Sequence, residues 1–192
     1  MSGGKRARTR ASLIAAAARL VGKKGFERTS LEDIAAEAAM TRGAIYGNFK
    51  NREELFLAVA QTYWAPLAPP LTAGASFRQQ MRELGTALVA TLPGRRSRAV
   101  GAASFQLFAL TNKRLRARLA KTNADAYRIA AKRVTENARL DELPLPPDQL
   151  VRVLHAMIDG LTFLHALTPD LVDEDVVLAA FEALAGGRSS SD

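Results

Sequence analysis

The stretch SLEDIAAEAAMTRGAIYGNF, residues 30–49, decides how the chain is read. Leu31, Ile34, Ala35 and Ala38 recur at helical spacing. Ser30 stands before them as an N-cap, and Asp33 is an acid in the first turn, where the helix dipole favours negative charge. Thr41 opens a second short helix in which Ile45 and Phe49 lie four apart, on the inward face. Its outward face is Arg42, Gly43, Ala44, Tyr46, Gly47 and Asn48, small and polar. Two short helices joined by a tight turn predict a helix-turn-helix, whose later helix enters the major groove of double-stranded DNA. That groove, about 12 Å wide, admits one helix. Arg42 can donate to guanine or phosphate, Asn48 can pair with adenine, and Ala44 can touch a thymine methyl.

The flanks extend the reading. Leu13, Ala17, Leu20 and Val21 share one face of an earlier helix, which Gly25 is placed to stop. Downstream, Asn51 to Glu54 reads as a capping box opening a helix that carries Leu55, Phe56 and Val59 toward Trp64. Pro66, Pro69, Pro70 and Gly74 then interrupt the chain. Beyond them, helical spacing predicts helices near 76–92, 97–111, 113–139, 147–167 and 173–185. The expected fold is all-α. A disordered arm at 1–8 precedes a DNA-binding domain at 9–67; a larger helical domain fills 68–187, and 188–192 is a tail.

Residues 9–57, TRASLIAAAARLVGKKGFERTSLEDIAAEAAMTRGAIYGNFKNREELFL, resemble the DNA-binding domain of TetR-family regulators. The most specific part is IAAEAAMTRGAIYGNF followed by Lys50 and EELF. The resemblance implies a homodimeric repressor that leaves a pseudo-palindromic operator when a small ligand binds its C-terminal helical domain. It implies that Thr29 and Ser30 meet phosphate, that Thr41, Arg42, Gly43 and Ala44 form the base-reading start of the recognition helix, and that Tyr46 and Lys50 clamp the DNA backbone. Three positions depart from the pattern. Ala39 stands where the turn usually carries Gly, and Gly47 and Asn48 replace a bulky aromatic and a His.

Composition agrees with a DNA-directed role. The formal net charge is +8, and basic side chains on phosphates release condensed counterions. Residues 1–60 hold eleven bases against six acids, residues 93–140 twelve against two, and residues 141–192 two against ten. Hydrophobic residues make up 48% of the chain, enough for a packed core, and the absence of cysteine excludes disulfides and thiolate metal sites. The N-terminus lacks the apolar run of a secretory signal. Elsewhere charges and prolines are expected to cut apolar runs short of about 18 residues, the length of a membrane span. A cytoplasmic protein with no membrane partner, no metal and no cofactor is expected.

No catalytic signature is present. His155 and Asp159 lie four apart and can face each other; His165 falls off that face. Neither HExxH, GxSxG nor a Walker loop occurs. An enzyme using the helical domain, or a basic RNA-binding or scaffolding module, are the alternative classes. Candidate ligand-pocket residues are Tyr63, Trp64, Phe77, Met81, Phe105, Phe108, Tyr127, Arg128 and Met157, all of which fit a plain core equally well. For dimerisation, Leu150, Leu154, Met157, Leu161 and Leu164 form a seam, with Val177, Phe181 and Leu184 on the last helix. Val153, Ile158 and Leu167 form a second strip, and a helix with two apolar faces needs two partners. The basic stretch 113–139 has two readings. Its charges are solvated and paired with acids such as Asp173, Glu174 and Asp175, or Arg128 or Arg133 turns inward to select an anionic inducer.

Overall fold

The computed structural model describes residues 2–63, 69, 71–94 and 96–186, with side chains from residue 4 onward and not those of 94–98. Among the described residues it is all helix and turn, without strands: α1 (Ser2–Lys24), α2 (Leu31–Glu37), α3 (Arg42–Tyr46), α4 (Arg52–Tyr63), α5 (Phe77–Val89), α6 (Arg96–Thr111), α7 (Lys113–Asn137), α8 (Pro147–Leu167) and α9 (Glu174–Gly186). Trp64, most of the proline-rich segment and the 188–192 tail lie outside the described residues.

Two compact units result. One takes α1 to α4 together with α6 and the first turn of α7; the other takes α5, the rest of α7, α8 and α9. Helix α6, expected in the second domain, packs on α1 instead. The reason is aromatic. Phe26 is 1% exposed, and its ring lies 4.4 Å from Phe56, 5.8 Å from Phe105 and 4.3 Å from Phe108. Its N–H donates to Ser104 Oγ at 3.1 Å, fastening the loop after α1 to α6. That loop begins at Gly25, which stops α1 at φ +82° as its sequence position suggests.

In the first unit Leu13, Ala17, Val21, Ile34, Ile45, Phe49, Leu55 and Phe56 are buried, matching the predicted inward faces. The expected arm at 1–8 is not separate from the fold, since α1 begins at Ser2.

The core of the second unit gathers Phe77, Met81, Leu84 and Leu88 from α5, Leu150 and Ile158 from α8, and Val177 and Phe181 from α9. Helices α5 and α9 approach closely at Gly85, where an added Cβ would sit 3.1 Å from Phe181 Cδ2. By length and hydropathy alone α8 is long and apolar enough to cross a membrane, contrary to the expectation that every apolar run falls short. Its charges are too sparse to break the run; Leu150, Val151 and Ile158 are buried, while most of that apolar window is not.

Candidate nucleic-acid interface

Local rules build the helix-turn-helix. Ser30 Oγ accepts from the Asp33 N–H at 3.0 Å, while the Asp33 carboxylate accepts from the Ser30 N–H at 3.0 Å, a complete capping box. The Lys24 ammonium donates to Asp33 at 2.7 Å, and this bond, followed by those from Ser30, lowers the carboxyl to about 2. The turn after α2 is a Schellman motif: Ala39 N–H donates to Ala36 O at 3.0 Å and Met40 N–H to Ala35 O at 2.8 Å. The motif needs a left-handed residue, and Ala39 supplies it at φ +52°, the sole non-glycine with positive φ among the described residues.

Helix α3 presents Arg42, Gly43, Ala44 and Tyr46, with Thr41 at the N-cap making no side-chain capping bond. Tyr46 is 52% exposed. Arg42 donates to Glu32 Oε1 at 2.7 Å and to Tyr46 Oη at 3.3 Å. The Tyr46 bond and then the Glu32 charge raise its pKa. Lys50 is exposed just beyond α3; its backbone N–H donates to Glu54 Oε2 at 2.8 Å, while Asn51 Oδ1 accepts from the Glu54 N–H at 2.8 Å. Glu54 therefore reaches one residue farther back than the expected capping box.

Two expected DNA contacts are corrected. Thr29 is 1% exposed and its hydroxyl donates to Gly25 O at 2.8 Å, so its side chain has no face for a phosphate. Asn48 folds back: Nδ2 donates to Ala44 O at 2.8 Å, and Oδ1 is buried without a partner. An amide in that pose cannot pair with adenine.

Three arginines act where sequence reasoning did not place them. Arg10 donates to Asn48 O at 2.7 Å with its guanidinium 4.1 Å above the Phe49 ring. Arg6, one turn earlier, donates to Gly47 O at 3.3 Å. The pair satisfies carbonyls left open at the end of α3, where the helix dipole is negative. Arg52 donates to Phe26 O at 2.6 Å and stacks 4.2 Å from the Phe26 ring, tying the start of α4 to the loop before α2. Burial lowers its pKa. The i,i+4 spacing of Arg6 and Arg10 was the one available signal, but it did not reveal what they would meet.

Comparison with known proteins accounts for this geometry. Residues 13–59 match the model described as bacterial regulatory proteins, tetR family, and residues 77–187 match the C-terminal domain of BetI-type transcriptional repressors. The chain belongs to the TetR family. The transcriptional regulator TtgR of Pseudomonas putida is 53% identical over 51 residues, 27% of this chain and 24% of TtgR; the match thus spans about a quarter of that relative's length. A transcriptional regulator from Rhodococcus sp. Rha1 has the same fold, with a TM-score of 0.70 and 20% identity, covering 92% of this chain and 94% of its own. A regulator from Saccharomonospora viridis, solved in complex with choline, has a TM-score of 0.66 and 17% identity, covering 94% and 96%. This chain carries the N-terminal helix-turn-helix domain and the C-terminal helical domain of TetR-family regulators.

The other expected site residues scatter over both units. Phe105 and Phe108 pack on Phe26 within the first unit, and Tyr63 ends α4 there. Phe77 and Met81 are buried in the core of the second, with Met157 packed against it. Tyr127 and Arg128 line an open groove of about 550 Å³ between α7 and α8. Beside it Tyr127 Oη lies 2.6 Å from His155 Nδ1, and His155 Nε2 lies 3.5 Å from Asp159. Burial first, then the Asp159 charge, raises the Tyr127 pKa, and Arg152 offsets part of this. His165 turns elsewhere, to Val172 O at 2.7 Å. Arg128 pairs with Asp125, and Lys132 lies 3.6 Å from Glu136, both within α7 and not with the acidic last third. Arg133 is exposed, not inward.

The expected dimer seam is corrected as well. Leu150, Val177 and Phe181 are at most 1% exposed within the protomer and have no surface for a partner. Leu154, Leu161 and Leu184 pack against the same core. Leu164, 45% exposed, lies on the opposite strip.

Proposed function

We propose that the protein is a homodimeric, ligand-responsive repressor acting on DNA in the cytoplasm, a binding protein and not an enzyme. The observation that carries DNA contact is the row formed by exposed Thr41 at the N-cap, exposed Arg42 and Tyr46 on α3 and half-buried Ala44 between them, followed by exposed Lys50. Capped helices and the Arg6 and Arg10 bonds hold that row in place. Glu32 keeps Arg42 extended across the surface. Exposed ion pairs of this kind contribute only about 0–1 kcal/mol, so a phosphate or guanine can replace the carboxylate at little cost.

Dimerisation is supported by α8 and α9. On α8, Val153, Ala156, Gly160, Phe163, Leu164 and Leu167 form a continuous exposed apolar stripe opposite the core-facing residues. On α9, Val176, Ala179 and Ala183 form a second. A second copy covers both, and two recognition helices then reach successive major grooves, about 34 Å apart, on a pseudo-palindromic operator. Repression is supported by the BetI-type repressor match over 77–187. Response to a small molecule is supported by that match, by the choline-bound neighbour of the same fold and by the α7–α8 groove.

Selection of binding sites from random duplex DNA with the purified protein tests this reading. Lys50→Ala is then expected to weaken all sequences alike and to reduce the salt slope by about one unit. Arg42→Ala is expected to weaken the selected operator. Unchanged affinity and slope in both variants would remove the proposed surface.

A further inference from the structure

The groove between α7 and α8 has an uneven chemistry. Ala120, Ala124 and Ala131 line it with small side chains that leave the space open; Arg128, Arg152 and Asp148 supply charge, and Tyr127 a phenol. Both arginines hold weak, replaceable partners. Arg152 is 3.4 Å from Asp148, with side chains 60% and 58% exposed. The Arg128–Asp125 pair is also open to water. Pairs so exposed are readily exchanged for another carboxylate, and a planar guanidinium accepts one in a bidentate fork.

Tyr127 adds a second demand. With the His155 proton on Nε2, toward Asp159, Nδ1 is an acceptor and the phenol donates to it at 2.6 Å. The phenol oxygen is then left only with lone pairs for anything else in the groove. A ligand meeting both conditions carries an anion for the arginines and a donor for Tyr127. A groove of about 550 Å³ is in the size range of sites for single small molecules.

We infer that the α7–α8 groove binds a small carboxylate bearing a hydroxyl or amino donor, with Arg152 and Arg128 holding the carboxylate and Tyr127 accepting the donor's hydrogen. This inference rests on the ligand-responsive reading above.

Calorimetric titration of the full-length protein tests it with 4-hydroxybenzoate, benzoate, 4-hydroxybenzamide and choline as probes. The hydroxybenzoate is expected to bind at least tenfold more tightly than the amide, more tightly than benzoate, and choline not at all. Arg152→Gln is expected to lower hydroxybenzoate affinity about tenfold while leaving the amide unchanged. Tyr127→Phe is expected to bring hydroxybenzoate down to the level of benzoate. Equal affinity for acid and amide, tight choline binding at this groove, no binding of the hydroxybenzoate at millimolar concentration, or an indifferent Arg152→Gln variant overturns the inference. Operator release, measured in parallel, separates it from the reading it rests on. Binding as described without release refutes the ligand-responsive reading and leaves the site; release by other compounds, with no carboxylate bound, refutes the site and leaves that reading.

Discussion

Ala39→Gly isolates one strained residue at the centre of the DNA-binding unit. Ala39 sits at φ +52° because the Schellman turn after α2 demands it. For an L-residue the left-handed region costs roughly 1–2 kcal/mol through the clash of Cβ with the following carbonyl. Glycine removes that clash but gives the unfolded chain more freedom, which opposes it by about 0.4–1 kcal/mol. The difference leaves the variant more stable by about 0.5–1 kcal/mol. For a chain of this size each kcal/mol moves Tm by about 2–4 °C, so a rise of about 1–4 °C is expected in thermal unfolding followed by circular dichroism. The Met40 amide, bonded to Ala35 O at 2.8 Å, reports the turn itself and is expected to exchange more slowly. Ala39→Val, with a β-branched side chain in the same conformation, is expected to lower Tm. Operator affinity of the glycine variant is expected to change little, because the turn keeps its hydrogen bonds. A lower Tm for Ala39→Gly, or a higher one for Ala39→Val, would refute the argument that the turn is strained at this residue.

Gly85→Ala places a Cβ 3.1 Å from Phe181 and 3.4 Å from Leu178; overpacking of about 1–3 kcal/mol, less about 1 kcal/mol of gained helix propensity, is expected to lower stability in urea titration by about 0–2 kcal/mol. Asp33, lowered from 3.8 to about 2 in the folded protein, contributes stability that is present above the unfolded value and lost as pH falls from 3.8 to about 2. Asp33→Asn is expected to flatten that part of the urea-midpoint profile, and an unaltered profile would count against the Asp33 carboxylate, held by Lys24 first and Ser30 second, as its source. Leu164→Asp, on the exposed strip, is expected to leave each protomer folded and shift sedimentation to the monomer, whereas Leu150→Asp, 1% exposed, is expected to unfold the second unit. A Leu164→Asp protein that sediments as a dimer would rule out that face.

Much of the DNA-binding unit is written locally. Ser30 and Asp33 sit three apart, as a capping box requires, and Ile45 and Phe49 sit four apart, as one face of a helix requires; both spacings depend only on helix geometry. At Ala39 the resemblance marked a position that usually carries Gly; the hydrogen bonds of the turn, seen only in the structure, fix its positive φ. Periodicity likewise marked α8 as a helix with two apolar strips. It divided the strips wrongly at two places: Ile158, read with Val153 and Leu167, is buried beside Leu150, and Leu164, read with Leu150, stays exposed. Packing against α5 and α9 buried Leu150 and Ile158 and left Val153, Leu164 and Leu167 outside. Contacts between residues distant in sequence left no pattern to read. Phe26 meeting Phe108, Arg10 capping Asn48 O, and Tyr127 facing His155 each join side chains whose neighbourhood exists only after the helices have packed. Thr29 and Asn48 show the same limit from the other side. Their residue types suit DNA, but a buried environment and a nearby carbonyl claimed their polar atoms first.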